Sequence, residues 1–172
     1  MFDPTIYENV KVVLEGAVYD LDLNGAALVT QRSDQLDMSS MSRTYKIEFA
    51  RMLDQASRAE LTLYAHLKDL AAEILEQTSA SPGCILEVRL RTTVSDPEKE
   101  CPEIAKALTR IWGSRPHIKQ QLSYEFGSEP IVYRDEVLLT FGRKIDEGQI
   151  DDFPVLIGHA LDSLKWLDGR RG

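Results

Sequence analysis

The fold is decided by the stretch Val18-Tyr19-Asp20-Leu21-Asp22-Leu23-Asn24-Gly25, which lies within a longer segment from Val10 to Met52. Its acidic and large apolar side chains alternate, which is typical of a half-buried strand. Asn24-Gly25 suits a type I′ turn, because both residues tolerate positive φ. The segment from Val10 to Met52 is therefore predicted to form three consecutive antiparallel strands.

The two strands after this turn follow from the same alternation. The return strand is predicted from Ala26 to Met38, and the third strand centres on Thr44–Phe49. The first strand has an alternative, because the apolar spacing between Glu8 and Val18 also fits a helix (Val10, Val13, Leu14 and Ala17). Only the β-branched valines favour a strand there.

The clearest predicted helix runs from Arg58 to Ser79. Ser57-Arg58-Ala59-Glu60 matches a capping box. Apolar side chains then recur at helical spacing (Leu63, Leu67, Leu70 and Ile74). Ser81-Pro82-Gly83 ends the helix.

The later part of the chain alternates between strand and helix patterns. The predicted elements are a strand from Cys84 to Val94, a helix from Asp96 to Gly113, a hairpin of His117–Phe126 with Ile131–Phe141, and a helix from Phe153 to Leu167. The predicted order is therefore βββαβαββα, which indicates an α+β fold in one domain over residues 1–172. About six mostly antiparallel strands should carry three helices on one face, which leaves a partly polar face uncovered.

The composition excludes several functional classes. The 172 residues are 43% hydrophobic and 28% charged, which is ordinary for a globular protein. A net charge of −8 argues against a general nucleic-acid binder and against an anionic membrane surface. No apolar run is long enough for a membrane span. Asp3, Pro4, Glu8 and Lys11 interrupt any signal peptide, so a cytoplasmic protein is expected.

No motif in the chain indicates a cofactor or a catalytic nucleophile. There is no G-x-S-x-G elbow and no glycine loop for phosphate. The two cysteines, Cys84 and Cys101, do not form a metal or disulfide framework. Acidic neighbours oppose a reactive Cys101 thiolate, and Cys84 is expected in the core. The protein would be an enzyme only if scattered Asp, Glu, His or Tyr residues converge in space to form a catalytic site.

Metal-binding patterns in the chain are weak. Asp20–Gly25 matches the first half of a calcium loop through Asp20, Asp22 and Asn24, but Gln31 stands where the bidentate carboxylate belongs. His66 is predicted on the polar face of the first helix near Asp69, where an exposed His–Asp pair is usually only a solvated face. His117 and His159 have no identifiable partner. A weak calcium- or metal-binding regulator is therefore an alternative, and no metal ligand is assigned.

Two surfaces are candidates for binding. Arg89 and Arg91 share the outward face of one predicted strand and Lys119 extends it, which would form an anion or partner patch. The alternative is that these bases pair with glutamates across the strands. Val155, His159 and Trp166 lie along one flank of the last helix and form a candidate interface. The competing explanation is that Trp166 covers the core of its own chain.

These observations favour a non-enzymatic binding or regulatory protein that works as a homo-oligomer, most simply a homodimer. Small acidic α+β dimers that hold a partner chain, such as secretion chaperones, share this general character. A protein partner is therefore expected, whereas nucleic acid and membrane are not.

Overall fold

Six antiparallel strands form one sheet in the computed structural model, which describes residues 5–171. The strands are β1 (Ala27–Leu36), β2 (Arg43–Arg51), β3 (Arg58–Ala65), β4 (Ile85–Val94), β5 (His117–Ser123) and β6 (Tyr133–Thr140), and they lie in the order β1-β2-β3-β4-β6-β5. The described residues also form the helices α1 (Ile6–Leu23), α2 (Leu67–Ile74), α3 (Pro97–Trp112) and α4 (Phe153–Gly169), the last preceded by a 3-10 turn at Glu147–Asp152. The predicted α+β class is confirmed, with four α-helices in the described chain instead of three.

One face of the sheet packs against helices and holds the core. Helix α1 contacts β1 to β3, α4 contacts β2 to β4, and α3 contacts β4 and β5. The strand residues that face these helices alternate with polar ones, as in β4, where every second side chain from Leu86 to Val94 is buried. The opposite face carries mostly polar side chains. Strands β1 and β5 form the two edges of the sheet.

The first element is a helix, so the predicted first strand is wrong. The Thr5 side chain accepts a hydrogen bond from the Glu8 amide over 3.2 Å and caps α1. One stripe of the helix is buried (Tyr7, Val10, Leu14 and Val18). Val12 and Val13 are exposed, so the valines do not share the buried face that a strand would need. The helical alternative for Glu8–Val18 was the correct one.

Asn24-Gly25 ends this helix instead of turning a hairpin. The Ala26 amide donates to the Leu21 carbonyl and the Gly25 amide to the Asp22 carbonyl, each over 3.0 Å. This pair of bonds defines a Schellman motif, which requires a residue with positive φ. Gly25 supplies that residue, with φ at 73°. The tolerance of positive φ was recognised correctly, but it serves a helix C-terminus.

The predicted helix from Arg58 to Ser79 is also wrong in its first half. Strand β3 occupies Arg58–Ala65, and only Leu67–Ile74 is helical. Ala59, Leu61, Leu63 and Ala65 are buried at period two. Ser57 does not cap a helix, because its hydroxyl donates to Thr92 Oγ1 over 3.0 Å and its amide to Asp168 Oδ1 over 3.0 Å.

The elements after Cys84 match the predicted ones to within a few residues at their ends. The first predicted strand fails while the return strand and third strand correspond to β1 and β2. Among residues 5–171, no helix is long and apolar enough to cross a membrane. Asp3 and Pro4, which entered the signal-peptide argument, lie outside the described residues.

Candidate functional site

A cleft forms where the loops at one end of β5 and β6 meet helix α4. In the antiparallel pairing, His117 at the start of β5 lies opposite Thr140 at the end of β6. The segment before β5 and the segment after β6 therefore leave the sheet at the same end. Each contains a glycine with positive φ, at Gly113 and Gly142, which redirects the chain. The pairing register therefore brings Arg115 and Arg143 to one side of the molecule.

The cleft has an apolar lining and a volume of about 530 Å³. Trp112 at the end of α3 lies against Phe141, with ring centroids 6.3 Å apart. The residues that line the cleft are Leu86, Trp112, Arg115, Pro116, Phe141, Arg143, Ile145, Gln149, Asp152, Phe153, Val155, Leu156 and His159. Clefts of several hundred Å³ with an apolar lining and a few polar groups are typical of small-molecule sites.

Trp112 is held in place by a hydrogen bond to α4. Its indole Nε1 donates to Ser163 Oγ over 2.9 Å, and the Ser163 hydroxyl donates in turn to the His159 carbonyl over 2.7 Å. The His159 ring lies edge to face against Trp112 at 5.4 Å between centroids. Since Ser163 is fully buried, this chain of contacts fixes one wall of the cleft.

Two arginines at the cleft have no ionic partner among the residues that the structure describes. Neither Arg115 nor Arg143 forms an ion pair with another residue of 5–171. Asp152 is the acidic side chain of the lining, and Gln149 and His159 are its other hydrogen-bonding side chains apart from the arginines. The cleft therefore carries a positive balance in a chain whose net charge is −8.

The predicted α4 interface divides between the cleft and the core. Val155 is exposed and lines the cleft together with His159. Trp166 is partly buried and packs against the hydrophobic core. The structure thus brings Val155 and His159 into one site and leaves Trp166 outside its lining.

The predicted base patch lies on the open face of the sheet. Arg89 pairs across the sheet with Leu138, and Leu138 pairs with Lys119, so the three residues form one row. The carboxylates of Glu60 and Glu136 lie 3.9 Å and 3.3 Å from the Arg89 guanidinium. Lys119 is exposed and forms no ion pair within the described chain.

Arg91 on the same face is more heavily engaged than Arg89. Its guanidinium reaches Glu48 at 2.8 Å, Glu60 at 3.2 Å and Glu136 at 3.3 Å. Burial alone would lower the pKa of Arg91, but Glu60 and the other carboxylates hold that pKa above its ordinary value. The cross-strand pairing weighed from sequence therefore occurs, with the predicted Glu48 among the partners of Arg91 and with Glu60 and Glu136 in addition. Anion binding by Arg89, Arg91 and Lys119 stays a prediction.

The acidic residues of the predicted calcium loop do not converge. Asp20 and Asp22 lie in the last turn of α1, where residues two apart point about 200° from each other. Asp22 Oδ2 accepts a hydrogen bond from the Val29 amide over 2.8 Å. Within 5–171 no group of three or more His, Cys, Asp and Glu side chains is arranged to hold a metal ion. The arrangement of these side chains therefore does not support the calcium interpretation.

The remaining histidines do not meet a catalytic partner. His66 lies at the N-terminus of α2, beyond β3, and its ring packs edge to face against Tyr64 at 4.6 Å. It was predicted inside a helix, but the structure has β3 in place of the first half of that helix, so His66 lies between β3 and α2. His117 begins β5 as expected and is exposed.

A buried polar cluster lies at the other end of β6, beneath α3. Asp135 is 1% exposed, and neither carboxylate oxygen has a hydrogen-bond partner in the described chain. Burial raises the pKa of Asp135 to about 6, against the lowering effect of Arg170. Burial also raises the pKa of the nearby Cys101 thiol, with Asp135 adding to the effect. A reactive thiolate at Cys101 is therefore disfavoured.

Of the residues that line the cleft, sequence reasoning named only Val155 and His159 as candidates, and it missed those that decide the chemistry of the cleft, Trp112, Arg115 and Arg143. Trp112 was absorbed into the predicted α3 helix, and the arginines lie in turns. The available signal was the pair of Gly-containing turns flanking the β5–β6 hairpin, each followed within two residues by an arginine. A hairpin places its two outer ends together, so this pair was detectable in principle.

No known protein family, no curated protein and no solved structure matches this chain.

Proposed function

We propose that the protein is a non-enzymatic binding protein that works as a homodimer, with the cleft beside Trp112 as its ligand site. The observation that carries the proposal is this cleft of about 530 Å³, which joins an apolar lining to two arginines that form no ion pair with any residue from 5 to 171. Such a combination gives both a desolvated surface and a small number of orienting polar groups.

The cleft contains titratable groups, but their contacts favour binding over catalysis. His159 and Asp152 both line it, and an enzyme assembled from scattered residues would use them. A general-base histidine is ordinarily oriented by a hydrogen bond from a third group. The His159 ring instead packs against the Trp112 indole. The non-enzymatic interpretation therefore requires fewer side-chain rearrangements than the enzyme alternative.

The edge strand β5 supports the homodimer part of the proposal. It pairs with β6 on one side only, so its other side offers backbone donors and acceptors to a further strand. An antiparallel pairing of two β5 strands about Gln120 would place Ile118 of one copy opposite Leu122 of the other. Exposed aromatic side chains, Tyr124 and Phe126, follow directly. A second copy is the occupant whose edge matches by symmetry.

The compartment forms part of the same proposal. Both cysteines are free, with Cys84 buried and Cys101 partly buried. Free thiols fit a reducing environment, and together with the acidic composition they support a cytoplasmic location.

Ligand-detected NMR with the neutral probe 3-phenylpropanamide tests the cleft. Val155→Trp fills the mouth with a large side chain, and Val12→Trp on α1 is a matched control because both valines are 62% exposed. Binding should be lost in V155W and kept in V12W. Absence of binding to the unmodified chain, or equal binding by both variants, would contradict the cleft as the ligand site.

Native mass spectrometry tests the dimer. Leu122→Lys places a charge on the β5 edge and should yield a monomer, whereas Leu36→Lys on the opposite edge strand β1 should leave the dimer intact. Both leucines are partly exposed, at 36% and 49%, so each variant should fold. An unmodified chain that is monomeric at micromolar concentration would refute the dimer while leaving the cleft proposal in place.

A further inference from the structure

The charge at the cleft comes from two arginines that lie beside the same apolar lining. Seven other arginines of residues 5–171 pair with carboxylates, as Arg43 does with Asp34 at 3.1 Å and Arg91 does with three glutamates, whereas Arg110, Arg134 and Arg171 do not. Arg115 and Arg143 have no such partner within 5–171, although acidic residues outnumber basic ones by 28 to 20. Two unpaired guanidinium groups beside an apolar surface provide a favourable position for an anion.

The balance of charge in the lining limits the anion. Asp152 contributes one carboxylate beside the two guanidinium groups, so the lining carries a formal charge of about +1 when His159 is neutral. One negative charge on a ligand would complete this balance. A dianion would face Asp152 with an uncompensated charge, and a cationic ligand would face two arginines.

The aromatic lining indicates what the rest of the ligand contains. Trp112 and Phe141 present rings whose planes are tilted by 55°, and Phe153 and Leu156 extend the apolar lining. An aromatic ring or a short acyl chain would bury apolar area against these side chains. The volume of about 530 Å³ lies within the range of small-molecule sites, which favours a free small molecule over a folded partner surface.

We infer that the cleft binds a small monocarboxylate with an aromatic or short acyl body, whose carboxylate contacts Arg115 and Arg143 and whose body lies against Trp112. This assignment rests on the proposed function, because it names the ligand class of the same cleft. Guanidinium groups recognise carboxylates through paired hydrogen bonds.

The test uses Trp112 as its own reporter. The chain has two tryptophans, so Trp166→Phe leaves Trp112 as the single indole. Fluorescence titrations of W166F compare 3-phenylpropanoate with 3-phenylpropanamide, which has the same shape and no charge. The acid should bind about tenfold more tightly than the amide at low ionic strength, and added salt should reduce this advantage.

Arg115→Gln with Arg143→Gln in the same background supplies the matched variant. Both arginines are exposed in loops, so the double variant should fold. It should bind the acid about tenfold more weakly and the amide unchanged. Arg110→Gln, at an exposed position on α3 outside the cleft lining, is the control and should leave both affinities unchanged.

The outcomes separate the inference from the proposed function. Equal affinities for acid and amide would overturn the monocarboxylate assignment and leave a binding cleft in place. If neither probe changes the fluorescence of Trp112, the inference is overturned together with the proposed function. Tighter binding of acetyl-Gly-Gly-Phe, whose terminal carboxylate follows the same phenyl group, would replace the small molecule with a peptide C-terminus.

Discussion

The indole N–H of Trp112 donates to the hydroxyl oxygen of Ser163 over 2.9 Å, which joins the last residue of α3 to the middle of α4. Both side chains are buried. The bond connects residues 51 positions apart and positions the aromatic wall of the cleft.

Replacement of Ser163 by Ala should therefore destabilise the fold. The indole N–H would remain buried without an acceptor, which costs about 1–3 kcal/mol. Chemical denaturation should show this decrease in the free energy of unfolding. Ser114→Ala, at an exposed position just beyond α3, is the control and should change stability by less than about 0.5 kcal/mol. Equal stabilities for S163A and the unmodified chain would show that the bond is not made in solution.

Leu14→Ala tests the helical assignment of the first element. Leu14 is fully buried on the inner stripe of α1, so its truncation should lower the free energy of unfolding by about 2–5 kcal/mol. Val12 lies on the outer side of the same helix, and V12A should have an effect below about 0.5 kcal/mol. In a strand, residues 12 and 14 would share one face. Similar large losses in both variants would therefore contradict the helix.

The N-terminal helix was weighed as an alternative and not chosen, because composition and periodicity point in opposite directions there. A strand is favoured by the propensity of Val10, Val12, Val13 and Val18. The side chains that are buried, however, recur at helical spacing (Val10, Leu14 and Val18). Propensity is worth only tenths of a kcal/mol per residue, whereas burial of a large apolar side chain is worth more. The periodicity should have decided the assignment.

The error in β3 has a different origin. Leu63, Leu67 and Leu70 match helical spacing, but Leu63 belongs to a strand and Leu67 to the helix that follows it. A pattern that spans two elements cannot be separated by spacing alone. The alternation from Ala59 to Ala65 contained the correct signal.

The later elements were predictable because glycines and prolines separate them. Gly113 ends α3 and Pro97 begins it, so pattern and punctuation agree there. The cleft was not predictable to the same degree, because its lining comes from β4, α3, α4, the 3-10 turn before α4 and two loops. Only the strand pairing places Arg115 near Arg143, and pairing is not encoded by local spacing.

Asp135→Asn should change how stability depends on pH. The pKa of Asp135 is about 6 in the fold and 3.8 in its ordinary state, so the folded chain binds the proton more tightly. The protonated carboxyl of Asp135 therefore stabilises the fold below pH 3.8, and this stabilisation is lost as the pH rises through about 6. The full loss is about 3 kcal/mol. D135N does not lose this stability, because its neutral amide does not ionise.

Denaturation of both proteins between pH 4 and pH 7.5 measures this effect. The stability of D135N relative to the unmodified chain should increase across that interval and level off above pH 7. Asp151→Asn, at an exposed position in the 3-10 turn before α4, is the control for removing one carboxylate elsewhere on the chain. If the difference in the free energy of unfolding between D135N and the unmodified chain does not change with pH, Asp135 ionises in the fold at its ordinary pKa.

Thiol labelling should distinguish the two cysteines by burial. Cys84 is 1% exposed, and its burial raises the pKa of the thiol to about 12. Cys101 is partly exposed with a raised pKa. Because the thiolate is the species that reacts, iodoacetamide at pH 8 should modify Cys101 slowly and Cys84 only after unfolding. Intact mass measurements should show one adduct under native conditions and two in denaturant.

C101S is the control variant and should remain unmodified while folded. Rapid labelling of folded C101S would show that Cys84 becomes accessible through opening of the strand bridge that its backbone forms with Ile145.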